Sequence, residues 1–472
     1  MVAEVGMPRG TVPVLSDGTS LADLVDVEKR EVSMRVLSDP EIFRLELERL
    51  FRKAWIPVAH ESEVPRPGDF VTRTLAADPV IITRTRSGDV KVLLNICQHR
   101  GMQVCRVDAG NSNQFRCVYH GWVYGQDGRF LGSPVKKEQM WGDVRDRSEL
   151  GLPEARVERF GGMVFATFDP AAPSLDDWFG DYKWYLDLMY DRTESGLEAL
   201  GPPQRFTVKA NWKCAGEQFN ADGYHTLTLH RSLFELGVIG SETTGDAVVE
   251  MAPAMYGVDV SVPQGHSLRC IPAETTFSML LGKDVSGLST MERLRALPPP
   301  GLTPELVEHL PRRFDKDEMR VLAETAPQVG GLFPNTGLVS IWQPSPDGTM
   351  GSTMTWHTFM PKGPDEFEFV NWVLVERDAP DEVKEKMLKA SVRAVGSSGT
   401  VEQDDAEAWP SMHRSSYGAM GRRQTMKYQA LLGVNEPDDW PGSGYVYDGF
   451  SKDDGQWNWW LRWLQFMTDN PW

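Results

Sequence analysis

Two short segments hold residue types that suit iron and sulfur. Cys97 and His99 are followed, after seventeen residues, by Cys117 and His120, giving the pattern C-x-H-x17-C-x2-H. A [2Fe-2S] centre with thiolates on one iron and imidazoles on the other needs this inventory, one Cys and one His from each loop. Structural zinc uses the same four donors and is the competing reading. Zinc motifs usually keep the two residue types apart, Cys with Cys and His with His, whereas each pair here mixes them.

Such a centre passes electrons singly, so another site must use them. Of nine histidines, only His225 and His230 stand close together outside the two loops, within Asp222-Gly223-Tyr224-His225-Thr226-Leu227-Thr228-Leu229-His230. At about 100° per residue, positions five apart on a regular helix diverge by roughly 140° and cannot face one metal. The spacing therefore predicts that the helix ends, tightens or bulges between Tyr224 and His230. A 2-His-1-carboxylate site needs one acid more. The run Glu402-Gln403-Asp404-Asp405-Ala406-Glu407 offers several, although an acidic run alone ordinarily reads as a solvated helix start. His60, His266, His309, His357 and His413 are isolated and read as structural or surface residues, with His266 and His357 worth reconsidering beside a cavity.

Both sites need elements to hold them. Residues 80–84 and 90–95 are rich in apolar and β-branched types around Ser87-Gly88-Asp89, a hairpin leading into the first loop. Residues 115–116 run into the second loop and 122–124 run out of it, toward a turn at Gln126-Asp127-Gly128-Arg129. Asp39-Pro40-Glu41 opens a helix with Ile42, Leu45, Leu50 and Phe51 on its apolar side. Further on, 205–209 and 371–376 read as strands and 304–310 and 380–395 as helices. The segment 457–467 is an aromatic-rich helix with a narrow polar stripe at Asn458, Arg462, Gln465 and Asp469, to be packed on its own domain or a partner.

With 472 residues and 41% hydrophobic content, the chain can build two cores. A formal net charge of -18 argues against nucleic acid and anionic membranes as partners. No apolar run suits a membrane span and the first residues lack a signal peptide's pattern, so a soluble, cytoplasmic protein is expected. Five cysteines make no disulfide framework; Cys105, Cys214 and Cys270 read as buried small hydrophobes.

Cys97-Gln98-His99-Arg100-Gly101 and Cys117-Val118-Tyr119-His120-Gly121-Trp122 resemble the Rieske loops of the ring-hydroxylating oxygenases. Val118 stands where that family often carries Pro, which bears on loop stiffness rather than ligation. The stretches 211–230 and 399–409 resemble the catalytic segments of the α subunits of Rieske aromatic-ring dioxygenases, including actinobacterial polycyclic aromatic hydrocarbon and phthalate dioxygenases. Leu332-Phe333-Pro334-Asn335 and Gly363-Pro364-Asp365-Glu366 match later blocks. The resemblance implies an α+β protein: an all-β Rieske [2Fe-2S] domain at 54–170, and a helix-grip catalytic domain from 1–53 and 171–472 with a large antiparallel sheet flanked by helices. It implies one cluster on Cys97, His99, Cys117 and His120, and one mononuclear Fe(II) on His225, His230 and Asp405, the second acid of the Asp404-Asp405 pair. Asp222 is then expected to bridge His225 and, across a subunit boundary, His120 of a neighbouring copy. Gln218 stands where many relatives carry Asn beside the iron.

The implied activity is that of an α subunit adding both atoms of O2 to an aromatic ring to give a cis-dihydrodiol. Electrons would come from NADH through a flavin reductase and a ferredoxin. No nucleotide-binding glycine loop occurs in this chain, so the reductase is a separate protein. A small β subunit and an α3β3 or α3 assembly are implied as well. Gln218, Phe219 and Leu233, with Leu236, Val238 and Ile239, are candidate cavity walls. Their apolar bias, with no Arg expected to be placed at the metal segment, favours neutral aromatic hydrocarbons. The alternatives are a monooxygenase or demethylase, an aromatic carboxylate (phthalate-type) dioxygenase and, lowest, a non-catalytic Rieske electron carrier.

Overall fold

The computed structural model describes residues 12–135, 146–236, 257–282, 284–344, 350–396, 398–430, 439–449 and 452–468. The chain divides into two compact units, Leu47–Leu175 and the pair Met1–Glu46 with Asp176–Trp472.

The smaller unit is built of β-strands. β1 (Ile56–His60), β2 (Asp69–Leu75), β3 (Asp78–Arg84), β4 (Val90–Leu94), β5 (Ala109–Asn111), β9 (Glu154–Phe160) and β10 (Met163–Thr167) form a seven-stranded antiparallel sheet. Its order is β1-β10-β9-β4-β3-β2-β5. A three-stranded sheet of β6 (Gln114–Arg116), β7 (Val123–Gly125) and β8 (Phe130–Gly132) completes the unit. The β3–β4 hairpin pairs Val80 with Leu94 and Arg84 with Val90, which sends the chain directly into the Cys97 loop. The β6–β7 hairpin pairs Arg116 with Val123, so Cys117 and His120 lie in its connecting loop. Phe70, Ile81, Leu93, Phe115, Trp122 and Tyr124 form the core beneath both loops. Burying such side chains contributes about 1.5–3 kcal/mol each.

The larger unit is organised on a nine-stranded antiparallel sheet. Its strands are β11 (Leu197–Ala199), β12 (Gln204–Val208), β13 (Val258–Ser261), β14 (Ser267–Cys270), β15 (Pro327–Leu332), β16 (Thr336–Pro344), β17 (Met350–Gly363), β18 (Glu366–Glu376) and β19 (Tyr445–Asp448). The order is β11-β18-β17-β16-β15-β14-β13-β19, with β12 also paired to β18. The long central strands are rich in Thr, Val, Phe and Trp, residues that suit a pleated packed surface. Nearly every residue of β18 is buried, so both faces of the sheet are covered there.

Five helices matter to the site: α1 (Pro40–Glu46), α2 (Trp212–Gln218), α3 (Asp381–Val395), α4 (Glu402–Ser415) and α5 (Asp454–Thr468). α2 starts at Asn211, whose side chain accepts the Lys213 N–H at 3.1 Å and caps the first turn. Its start is anchored by a fully buried ion pair, Lys213 Nζ to Glu46 Oε1 of α1 at 2.7 Å. Trp212 Nε1 and, from α5, Trp463 Nε1 donate to the same carboxylate at 3.0 and 2.9 Å. Burial depresses the Lys213 ammonium, and Glu46 pushes it back. Removing one partner of such a pair typically costs about 3–5 kcal/mol, because the other charge stays buried. α5 is buried on all sides, and even its polar-stripe residues Asn458 and Arg462 are enclosed. It packs within its own unit, and Asp469 lies outside the described residues. Cys105, Cys214 and Cys270 are free and buried. Among the described residues, no helix is long and apolar enough to cross a membrane.

Candidate functional site

The two Cys/His loops share one backbone solution. In the first, Cys97 N–H donates to Met102 O at 2.8 Å and Gly101 N–H donates to Cys97 O at 2.9 Å. In the second, Cys117 N–H donates to Trp122 O at 2.8 Å and Gly121 N–H to Cys117 O at 3.0 Å. Both glycines have φ +71, the left-handed conformation that closes each loop without a Cβ penalty. The rings of His99 and His120 face one another at 4.5 Å between centroids, and His99 stacks on Trp122 with an interplanar angle of 7°. Cys97 and Cys117 are buried below them.

The polar atoms around the thiols suit a cluster. His99 Nδ1 is buried with no hydrogen-bond partner, an arrangement that a bound metal would satisfy. Tyr124 Oη lies 3.2 Å from Cys97 Sγ and accepts the Gln98 N–H at 3.0 Å. Burial pushes the Tyr124 phenol up, so it stays protonated and able to donate to sulfur. Burial also pushes the Cys97 thiol up and the His99 imidazolium down, the bias of a pocket that disfavours a lone charge.

In the larger unit, α2 stops at Gln218, and a 3-10 turn, Tyr224–Leu227, follows in place of a continued helix. This is the break that the five-residue His spacing predicts, and it brings the His225 and His230 rings to 5.1 Å. Asp405, in the first turn of α4, is buried and completes the group. One donor atom from each of His225, His230 and Asp405 lies within 4.8 Å of the others. His225 Nε2 is 4.0 Å from Asp405 Oδ1, and His230 Nε2 is 3.4 Å from Asp405 Oδ2.

The far nitrogens have their own carboxylates. His225 Nδ1 is 3.0 Å from Asp222 Oδ2, and His230 Nδ1 is 3.3 Å from Asp404 Oδ2. The His230–Asp404 contact is a hydrogen bond, while the His225–Asp222 contact has the distance of one without its alignment. Carboxylates so placed can hold a proton on Nδ1 and leave the Nε2 lone pair for the centre. Burial raises the Asp222 carboxyl, but His225 and Arg269 outweigh it and hold it below the usual range. Burial lowers His230, yet Asp405 and Asp404 carry it above its ordinary value. Gln218 Nε2 donates to Asp405 Oδ1 at 2.7 Å, and its Oε1 accepts from Trp409 Nε1 at 2.6 Å. Gln218 thus works as a clamp on the third carboxylate.

A cavity of about 190 Å³ opens beside these groups. Phe219, Leu233, Ile271, Val329, Ile341 and Trp342 supply most of its apolar wall. Gln218, Phe219 and Leu233 line it as the sequence suggests, whereas Leu236 is largely exposed, and Val238 and Ile239 lie outside the described residues. His266 and His357 do not line it; each is enclosed elsewhere, His266 by Trp178 O and Phe333 N–H, His357 by Thr355. The expectation that no Arg stands near the metal segment is corrected. Arg269, from β14, is in the cavity wall, brought there by strand pairing rather than by proximity in sequence. Glu402, a turn before Asp405, also lines the cavity, and burial followed by the Asp405 charge pushes its carboxyl well up. Arg269 had a faint sequence signal, a charged residue between Leu268 and Cys270, whereas Glu402 stood at the head of the acidic run with nothing to single it out.

Residues 54–151 match the Rieske [2Fe-2S] domain family, and residues 175–436 match the ring hydroxylating alpha subunit catalytic domain. The chain is 31% identical over 469 residues to the biphenyl 2,3-dioxygenase subunit alpha of Rhodococcus jostii (strain RHA1), covering 98% of this chain and 94% of that one. It is 30% identical to the N,N-dimethyl phenylurea N-demethylase subunit alpha of Sphingobium sp. (strain YBL2), covering 97% and 96%. Among solved structures, it is similar to naphthalene 1,2-dioxygenase from Rhodococcus sp. bound to indole, with a TM-score of 0.80, 34% identity and coverage of 93% and 94%.

Proposed function

The chain belongs to the α-subunit family of Rieske ring-hydroxylating dioxygenases, and from that premise we propose that it adds both atoms of O2 to a neutral aromatic ring, giving a cis-dihydrodiol. As a family member it is an oxidoreductase with a Rieske [2Fe-2S] cluster and a mononuclear non-haem iron. The observation that carries the proposal is the convergence of His225, His230 and Asp405 beside an apolar cavity. When bound, the cluster supplies electrons one at a time and the iron supplies open positions for O2.

The residues divide the remaining work. Cys97, His99, Cys117 and His120 hold the cluster, and His225, His230 and Asp405 hold the iron. Asp222 and Asp404 orient the two imidazoles through Nδ1, and Gln218 keeps Asp405 in one rotamer. Phe219, Leu233 and Trp342 exclude water and seat a flat ring beside the metal ligands. Asp222 also links His225 to His120 of a second copy, which requires an α3 or α3β3 assembly. The cluster domain is assigned to 54–170, and the iron domain to 1–53 with 171–472. Electrons reach the cluster from NADH through a flavin reductase and a ferredoxin, and a small β subunit accompanies the chain.

A second reading has a specific support: the similar N-demethylase subunit, which keeps open an oxidative removal of an N-methyl group from a substituted arene. Anaerobic purification with iron counting, followed by product analysis on naphthalene-like, biphenyl-like and phthalate-like compounds, tests both. Three irons per chain and a cis-diol are expected from one [2Fe-2S] cluster and one mononuclear iron. A dealkylated product would select the second reading, and two irons per chain would exclude both. Asp222→Asn should leave both metal sites filled and slow reoxidation of the reduced cluster; an unchanged rate would remove the bridge.

A further inference from the structure

We propose that Arg269 is a positioning residue that pins the turn carrying Asp222, so that this carboxylate meets His225. The inference rests on the role given to Asp222 above and adds to it the device that holds it.

The turn is tied from within, by Asp222 N–H to Gln218 O at 3.2 Å and Tyr224 N–H to Asp222 Oδ1 at 2.9 Å, and also from outside. Ala221 has φ +68, a left-handed conformation that a non-glycine residue rarely takes, immediately before Asp222. On the near side of the turn, Gln456 Nε2 of α5 donates to Asn220 O at 2.7 Å. On the far side, Arg269 Nη1 donates to Asp222 O at 2.6 Å, across 47 residues of sequence. A guanidinium bond to a carbonyl is charge-assisted and short, stronger than a neutral bond. The peptide segment that sets the direction of the Asp222 side chain is therefore clamped at both ends.

Arg269 is itself held by the sheet. Asp259 on β13 lies directly opposite it in the antiparallel register. Two directly opposed residues share one face of a sheet, so this acid lies on the same side as the guanidinium, although its own oxygens accept no hydrogen bond among the described residues. Both are buried; burial lowers the Arg269 guanidinium, and the Asp259, Asp222 and Asp405 charges oppose that without cancelling it. Although Arg269 lines the cavity, its Nη1 is committed to a protein carbonyl. A ring carboxylate would have to compete with that bond, which fits the choice of an uncharged ring.

The test uses the holoenzyme with Arg269→Gln, Arg269→Lys, and Arg269→Met combined with Asp259→Asn, the last leaving no buried carboxylate opposite an uncharged side chain. Cluster and iron content, reoxidation of the reduced cluster with naphthalene and O2, KM for naphthalene, and amide hydrogen exchange over 219–225 are measured. Arg269→Gln and the double variant should keep both metal sites and KM, slow reoxidation by about tenfold or more, and speed exchange. Arg269→Lys should restore most of the rate, since an ammonium can still donate to the carbonyl. Asp222→Asn added to Arg269→Gln should slow it no further. Unchanged exchange over 219–225 would overturn the proposal, as would intact naphthalene turnover with lost binding of benzoate, the mark of a substrate receptor. If Asp222→Asn alone is inert while Arg269→Gln still speeds exchange, the hold stands and the bridge falls.

Discussion

Asp404 and Asp405 are adjacent in sequence and meet opposite ends of the same imidazole. Asp405 Oδ2 approaches His230 Nε2 at 3.4 Å, while Asp404 Oδ2 approaches Nδ1 at 3.3 Å. Asp405→Ala is therefore expected to lose mononuclear iron and keep the cluster. Asp404→Ala should keep the iron with affinity weakened by about 10–100-fold, the usual effect of removing an orienting carboxylate. Iron counting after graded chelator exposure separates the two, and the reverse result would move the ligand by one residue. On the cluster side, Tyr124→Phe removes the hydroxyl beside Cys97 Sγ. A hydrogen bond to sulfur favours the reduced, more negative state, so its loss should lower the reduction potential, read by a spectroscopic redox titration. Sequence reading alone could name Cys97, His99, Cys117 and His120, because short spacing within a loop limits where donors can go. It could not rank Asp404 against Asp405 without resemblance, and it missed Arg269 and Trp409, whose partners lie far along the chain.

At the scale of elements, hairpins and helix ends do the positioning. The two cluster loops close with the same pair of backbone hydrogen bonds, but their glycines differ in surroundings. A Cβ on Gly101 would meet nothing within 4 Å, whereas one on Gly121 would fall 2.7 Å from Pro134 Cγ. Both alanine variants carry the cost of a left-handed residue, about 1 kcal/mol. Gly121→Ala adds a clash and should lower cluster occupancy more than Gly101→Ala, measured by visible absorbance per chain. In the larger unit, the break after Gln218 was legible because D-x2-H-x4-H cannot face one metal from a regular helix. The hairpin around Ser87-Gly88-Asp89 and the helix at Asp381–Val395 were legible from turn residues and periodicity. The nine-stranded order was not, since pairing such as β14 with β15 depends on contacts between distant segments.

At the scale of the molecule, burial sets a pH dependence. His266 and His357 are fully enclosed in the larger unit, and burial lowers each from an ordinary 6.5 to about 3. Between these values the unfolded chain binds more protons than the folded one, so stability falls as pH drops below 6.5 and levels off near 3. Each histidine contributes a slope of about 1.4 kcal/mol per pH unit in that window. His357→Phe should remove one such slope from denaturant unfolding measured between pH 5 and about 6.5; an unchanged slope would mean that His357 titrates normally. The sequence by itself determined the two ligand inventories, the β-rich character of the first unit and the irregular turn between His225 and His230. Those follow from local chemistry: which atoms bind iron, how far apart they sit, and what a helix can present on one face. Tertiary structure alone decided that Asp405 comes within reach of His230, that Trp409 steadies Gln218, and that Arg269 faces the Asp222 turn. The physical reason is that each of these contacts joins segments separated by 47 to 191 residues, and only sheet pairing and core packing bring such segments together.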